Sequence, residues 1–418
     1  MSDAYLSKAT QMVHGYFTER AGALRFEIAV EDAARHKMVN EAVFRGDVLG
    51  AMDSAAKGLD PRARPFSSSN AEAIEAWARG EYDRAVSLDP NFGPAWLAWA
   101  QSLASKGDTP GAIDATARAL ANSALRSQID RARIEVLSAN LHKDPDARRK
   151  ALTDLAKLEE ADTTLLETLA QIETNARRFS ASAELYRRIL RADPGNVAAM
   201  NSLGYAEAFT GNLDAARKAF EEYGRQPDQK PNSLDSLGEA SFMNGQFKDA
   251  EKYFLQTYDA NAAFLGGATL EKAAYARWLG GDLAGADAIM NRYLTLRTNL
   301  HDPLVAWREA TWLYATGRRE RAMAKLQSAP AEVIEKQTAA WNRPAPDDLS
   351  ALKDLYERTS PNADGYARTF YAAALLQAGR KDEARQLLAL WPLPEAGDPS
   401  VQSMVFPKFV ELRSAVGQ

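Results

Sequence analysis

The sequence predicts a mainly α fold: an α-solenoid of stacked helical hairpins behind a small N-terminal α/β piece. Three observations predict it. From residue 70 onward, apolar residues recur at spacings of three and four, the helical period. Glycine and Asp-Pro punctuate that pattern, and residues around the punctuation return at an offset of 34, as in a stack of repeated units. Before residue 66 the apolar period shortens in places to two, the strand period.

The front piece reads helix-strand-strand-helix over 1–66. Residues 3–19 carry Tyr5, Leu6, Ala9, Met12, Val13, Tyr16 and Phe17 at helical spacing, which predicts an amphipathic helix. In 23–31, Leu24, Phe26, Ile28 and Val30 alternate with Arg25, Glu27, Ala29 and Glu31, a strand with one buried face. Asp32 to His36 supply a turn, and 37–44 read as the hairpin partner. A helix follows at 47–59 with Val48, Leu49, Met52, Ala55 and Leu59, and Pro61 and Pro65 stop it. So small a core needs a further surface to dock on.

The repeat then takes over. Leu203-Gly204 returns as Leu237-Gly238, Gly211 as Gly245, Ala216 as Ala250 and Phe220 as Phe254. Gly107, Gly281, Gly317 and Gly379 are each followed five residues later by alanine: Ala112, Ala286, Ala322 and Ala384. The pattern has a physical reading. One helix ends at the glycine and the next packs back antiparallel. The first helix needs a small residue at the crossing, as at Gly204, Gly238, Ala100 and Ala372. The second needs alanine there and a large residue four positions on, as at Phe220, Phe254, Met290, Leu326 and Leu388. Asp89-Pro90 and Asp193-Pro194 end second helices. A single hairpin leaves apolar faces bare, so neighbours stack. Steps of 36 from Gly245 to Gly281 and to Gly317 imply short insertions in the connections. The stretch 126–162 lacks glycine and reads as a weaker helical pair.

Here the chain resembles the tetratricopeptide repeat family. The best match is 197–230, with Met200, Leu203, Gly204, Gly211, Ala216, Phe220, Tyr223 and Pro227. The next, 231–264, carries Leu234, Leu237, Gly238, Gly245, Phe247, Ala250 and Phe254, and 93–126 carries Trp96, Trp99, Gly107, Ala112 and Ala119. The resemblance implies a right-handed superhelix: a solenoid over 67–328, an irregular helical insertion over 329–360, and a last hairpin with a capping helix over 361–418. The front segment more weakly resembles the end of the TolB-amino-terminal-like domain of bacterial signalling proteins.

Composition narrows the function classes. Cysteine is absent, which removes disulfides, catalytic thiols and thiolate metal sites. The four histidines, His14, His36, His142 and His301, are scattered. The net charge of −5 gives no general attraction to nucleic acid or anionic lipid. No apolar run reaches the roughly 18 residues of a membrane span, and the chain is expected to be cytoplasmic. Phosphate-loop, zinc-helix, nucleophile-elbow and dinucleotide motifs are absent. His301 beside Asp302 looks like part of a catalytic pair, but Asp302 suits a helix cap better. The expectation is no catalytic residue, no cofactor and no metal.

What remains is an interaction scaffold. In the family, the first helices line a concave face. The register places Asn201, Tyr205, Phe209, Glu239, Phe242, Met243, Tyr275, Trp278, Trp307, Thr311 and Tyr314 there, an aromatic run suited to a peptide or protein partner. Any one of these aromatics has the alternative of packing as core between helices. The family's two-carboxylate clamp is not supported, because its positions hold Gln171, Tyr205, Glu239 and Tyr275. The front resemblance supports a second reading: the regulatory or sensor region of a bacterial signalling system whose effector domain is absent from this chain.

Overall fold

A computed structural model describes residues 11–20, 23–32, 37–46, 48–59, 61, 63–125, 127–342, 348–389 and 399–417. The chain divides into two compact units, Met1–Glu159 and Glu160–Gln418.

The first unit opens with an antiparallel sheet of β1 (Gln11–Arg20), β2 (Ala23–Asp32) and β3 (Lys37–Gly46), in that order. Phe17 pairs with Phe26, which pairs in turn with Phe44, and the β2–β3 register shifts between Val30 and Glu31. Ile28 and Val30 bury the expected face of β2 against Ala55 of α1 (Val48–Leu59). The helix expected over 3–19 is corrected: 11–20 is a strand, and 1–10 lie outside the described residues, as do 33–36 of the expected turn. The reason is physical. Met12, Val13, Tyr16 and Phe17 fit a helical spacing, but Gly15 costs about 1 kcal/mol in a helix interior. Val, Tyr, Phe and Thr suit a pleated surface, and β1 satisfies its backbone on the edge of β2. Val13 and Tyr16 are 57% and 63% exposed, so they form no buried helical stripe.

Three hairpins follow in this unit: α2 (Ala71–Ala78) with α3 (Tyr82–Leu88), α4 (Gly93–Ser105) with α5 (Thr109–Ala121), and α6 (Gln128–Leu141) with α7 (Pro145–Leu158). Asn70 caps α2 by accepting from the backbone N–H of Glu72 and Ala73 at 3.1 and 3.2 Å. The core is alanine against aromatics, with Ala85, Ala95, Ala100, Ala115 and Ala119 around Phe92 and Trp96.

The second unit continues the pairing. Its hairpins are α8 (Thr163–Asn175) with α9 (Phe179–Ala192), α10 (Val197–Phe209) with α11 (Leu213–Gly224), and α12 (Lys230–Met243) with α13 (Phe247–Ala260). Then come α14 (Ala268–Leu279) with α15 (Leu283–Asn299) and α16 (Val305–Ala315) with α17 (Arg319–Leu326). Two helices, α18 (Ala331–Trp341) and α19 (Leu349–Arg358), occupy the stretch read as an irregular helical insertion. The last hairpin is α20 (Gly365–Gln377) with α21 (Lys381–Leu388), and α22 (Pro399–Val416) ends the unit.

The crossing points are those the repeat implied. A Cβ on Gly238 would stand 2.5 Å from the Phe254 ring, and Gly204 faces Phe220 in the same way. Ala216, Ala250, Ala286, Ala322 and Ala384 are all buried. The turn geometry also survives where glycine does not. Gly211 turns at φ 79°, and Lys143, Arg177 and His301 adopt φ of 55°, 54° and 55° at the ends of their helices. This is why 126–162 folds as an ordinary hairpin without punctuation. The two steps of 36 have different causes. The first is taken up by the turn around Phe264–Gly267, but the second lengthens a helix rather than a connection: α15 has 17 residues where α13 has 14.

Candidate functional site

The first helices of the hairpins place aromatic residues one repeat apart, and in the second unit α22 lies against them. It packs on α16, α20 and α21 and reaches α18. Gln402, Val405, Phe406, Phe409, Leu412 and Val416 are buried at three- and four-residue spacing, one apolar face of a helix. Phe406 stacks on Tyr275 at 4.5 Å between centroids and 25° between planes, and meets Phe242 edge-on at 6.1 Å. Tyr275 also meets Trp312 at 5.2 Å. Arg413 covers the Phe247 ring at 4.8 Å, and the Trp341 indole N–H donates to Ser403 Oγ at 2.7 Å.

The sequence-predicted residues divide accordingly. Phe209, Glu239, Phe242, Met243, Tyr275 and Thr311 are buried. Asn201, Tyr205, Trp278, Trp307 and Tyr314 are half-buried. Phe209 stacks on Phe179 at 4.4 Å, and Tyr314 on Trp341 at 4.1 Å. Trp307 donates its indole N–H to Gln337 at 2.6 Å. The helix expected to close the last repeat therefore reaches further than that, to Phe242 and Tyr275 on two earlier hairpins.

A polar cluster sits on the same helices. Tyr205 donates its hydroxyl proton to Glu239 at 2.5 Å, and Ser236 Oγ lies 3.1 Å from the same hydroxyl and 3.2 Å from Asn201 Oδ1. Lys272 Nζ donates to Asp235 at 2.8 Å and to Glu239 at 2.6 Å. Burial pulls the Lys272 ammonium down, but Glu239 and Asp235 outweigh it and hold the group above its usual range. Burial, with Glu239 adding to it, pushes the Tyr205 phenol well above its ordinary value. Sequence reasoning missed Lys272 and Asp235. The signal was present: Asp235 and Glu239 share a helical face, and Lys272 follows about one repeat later.

A second cluster joins distant segments. Arg177, in the turn after α8, donates to the carbonyls of Tyr356 and Thr359 at 2.6 and 2.9 Å and to Asp364 at 3.0 Å. Its guanidinium lies 3.8 Å from the Tyr356 ring centroid. Asp364 is fully buried and also accepts from Arg368 at 2.5 Å. The bonding partners of Asp302 lie elsewhere than His301. Asp302 accepts from Leu304 N–H at 2.9 Å and takes Arg297 and Arg308 at 2.8 and 2.9 Å, so its role is to fix a helix entrance. Among the described residues, no three His, Cys, Asp or Glu side chains stand together to hold a metal, and no helix is long and apolar enough to cross a membrane.

Residues 168–230 and 349–405 both match models of the tetratricopeptide repeat family. The chain carries tetratricopeptide repeats. Tetratricopeptide repeat domains generally mediate protein and peptide binding, and no enzyme family matches. No curated protein matches the chain. Among solved structures, a tetratricopeptide repeat protein from Parabacteroides merdae is 14% identical, with 58% of this chain and 96% of that chain covered and a TM-score of 0.39. YrrB, described as a TPR protein with an unusual peptide-binding site, is 19% identical, with 42% and 93% covered and a TM-score of 0.30. The apo form of the quorum sensor NprR from B. thuringiensis is 13% identical, with 76% and 94% covered and a TM-score of 0.37.

Proposed function

We propose that this chain is a non-enzymatic scaffold that holds a protein or peptide partner in the concave, aromatic-lined groove of its repeats. The observation that carries this reading is the seating of α22. An amphipathic helix with Phe406 at its centre lies on Phe242 and Tyr275, which supports a groove shaped for a helix with an aromatic anchor. On this reading a partner helix takes the place of α22. Trp278, Trp307 and Tyr314, with Asn201 and Tyr205, are its first contacts. Phe242 and Tyr275 become available as α22 leaves. The buried cluster of Asp235, Glu239 and Lys272 ties α12 to α14 beside this run.

The test is photo-crosslinking from position 278 or 307 in the cells that make the protein. The expected result is a cross-linked partner protein whose yield rises several-fold in Phe406→Ala. Intramolecular products alone, in both backgrounds, overturn the groove.

A further inference from the structure

We propose that the cavity between the first and last hairpins of the second unit is a binding site for an apolar monocarboxylate. The cavity measures about 290 Å³ and is lined by residues that include Arg177, Phe179, Phe209, Tyr356, Arg368, Tyr371 and Leu387. Of its lining only Phe209 belongs to the aromatic run, and Phe242 and Tyr275 beneath Phe406 lie outside it, so its failure leaves the groove reading intact.

The charge balance points to an anion. Two guanidiniums, Arg368 at 4% and Arg177 at 15% side-chain exposure, share one carboxylate, the fully buried Asp364. That leaves one positive charge uncompensated. Among the described residues, Nε and Nη1 of Arg368 and Nε of Arg177 have no acceptor. Donors left this way cost the fold stability, and a buried unpaired cation costs more. Burial draws the Arg368 guanidinium below its usual range, with Asp364 opposing. The remaining carboxylate of the lining, Glu383, is held on both oxygens by Arg380 at 2.6 Å. Once the Arg368 guanidinium turns toward the cavity, a carboxylate supplies it with both a charge and acceptors, and the planar guanidinium suits it.

The walls specify the body of the ligand. Phe179 and Phe209 are stacked at 4.4 Å, and Tyr356 and Tyr371 lie 5.8 Å apart. These rings and Leu387 favour an aryl or branched alkyl group, and the volume is at the lower end for small-molecule sites. Inorganic phosphate would leave those walls unfilled. A free acid and the C-terminus of a chain ending in an apolar residue both present this chemistry.

Calorimetric titration of the full chain tests this. The probes are phenylacetate, phenylacetamide, acetyl-Ala-Ala-Phe, its C-terminal amide and inorganic phosphate. At least one of the two acids is expected to bind, with its amide at least about tenfold weaker, since the amide lacks the charge, and with phosphate weaker too. The tighter acid names the source, free compound or chain end. Leu387→Trp fills the cavity without touching the arginines and is expected to abolish binding. Gln386→Trp, at the exposed rim, is the second blocking variant if the first fails to fold. Equal binding of acid and amide overturns the proposal. So does phosphate binding as tightly as the acids, no acid binding up to about 10 mM, or undiminished binding in a folded blocking variant.

Discussion

The Phe406 ring lies flat on Tyr275, 4.5 Å between centroids, and neither side chain is more than 2% exposed. One residue of the last helix thereby closes the aromatic face of hairpins far earlier in the chain. Phe406→Ala removes the whole anchor. The expected cost is about 3–5 kcal/mol, the range for a fully buried phenylalanine. Urea unfolding followed by tryptophan fluorescence measures it, with Trp278 and Trp312 beside the gap. A loss below about 1 kcal/mol would mean that α22 contributes little to holding the unit together.

Lys272 reconciles Asp235 with Glu239, at 2.8 and 2.6 Å. Lys272→Met keeps the stem and deletes the ammonium that Asp235 and Glu239 share. The expected destabilisation is about 3 kcal/mol at neutral pH. In Lys272→Met with Glu239→Gln the cost is expected to fall by more than half, because one of the opposed charges is gone. A double-mutant cycle in urea reads the coupling.

Much of this architecture was legible in the sequence, for reasons that can be named. Gly204 and Gly238 are small because Phe220 and Phe254 press on them, and that local rule returns with every hairpin. The aromatic first-helix positions were legible by the same register. The helix that packs against them was not. The amphipathic spacing of Val405, Phe406, Phe409 and Leu412 marks a helix that buries a face, but nothing in it names Tyr275 as the surface. β1 was misread because Met12, Val13, Tyr16 and Phe17 suit two periods, and the pairing with β2 that decides between them is non-local. Arg177 was invisible for the same reason. Its acceptors lie around Tyr356 to Asp364, and its left-handed turn carries no glycine to mark it.

Arg177 ties the turn after α8 to the segment between α19 and α20 through three acceptors. Arg177→Met removes all three bonds and leaves Asp364 with Arg368 alone. The expected loss is about 2–4 kcal/mol. Hydrogen exchange locates it: amides from 356 to 368 should lose protection first, while those of α12 and α13 keep theirs. Uniform loss across the unit would show that this ion pair supports the whole stack rather than one junction.

Asp302 gives the clearest dependence on pH. Burial pushes its carboxyl upward, but the Leu304 N–H and the guanidiniums of Arg308 and Arg297 outweigh it and hold the group below the usual carboxylate range. The folded value thus lies under the unfolded one, so folding is favoured by the charged form. Its contribution is fully present above the unfolded value near 3.8 and fades as pH falls through the folded value. Asp302→Asn keeps the shape and an oxygen for the Leu304 N–H but takes from Arg297 and Arg308 the carboxylate they bond to, leaving buried Glu271 as the carboxylate near both. At pH 7 the variant is expected to be about 2–3 kcal/mol less stable. The gap between wild type and variant should stay flat from pH 7 to about pH 5 and narrow steeply below about pH 4. Urea midpoints at a series of pH values measure that gap, and a gap that persists unchanged to pH 3 would show that Asp302 acts through shape rather than charge.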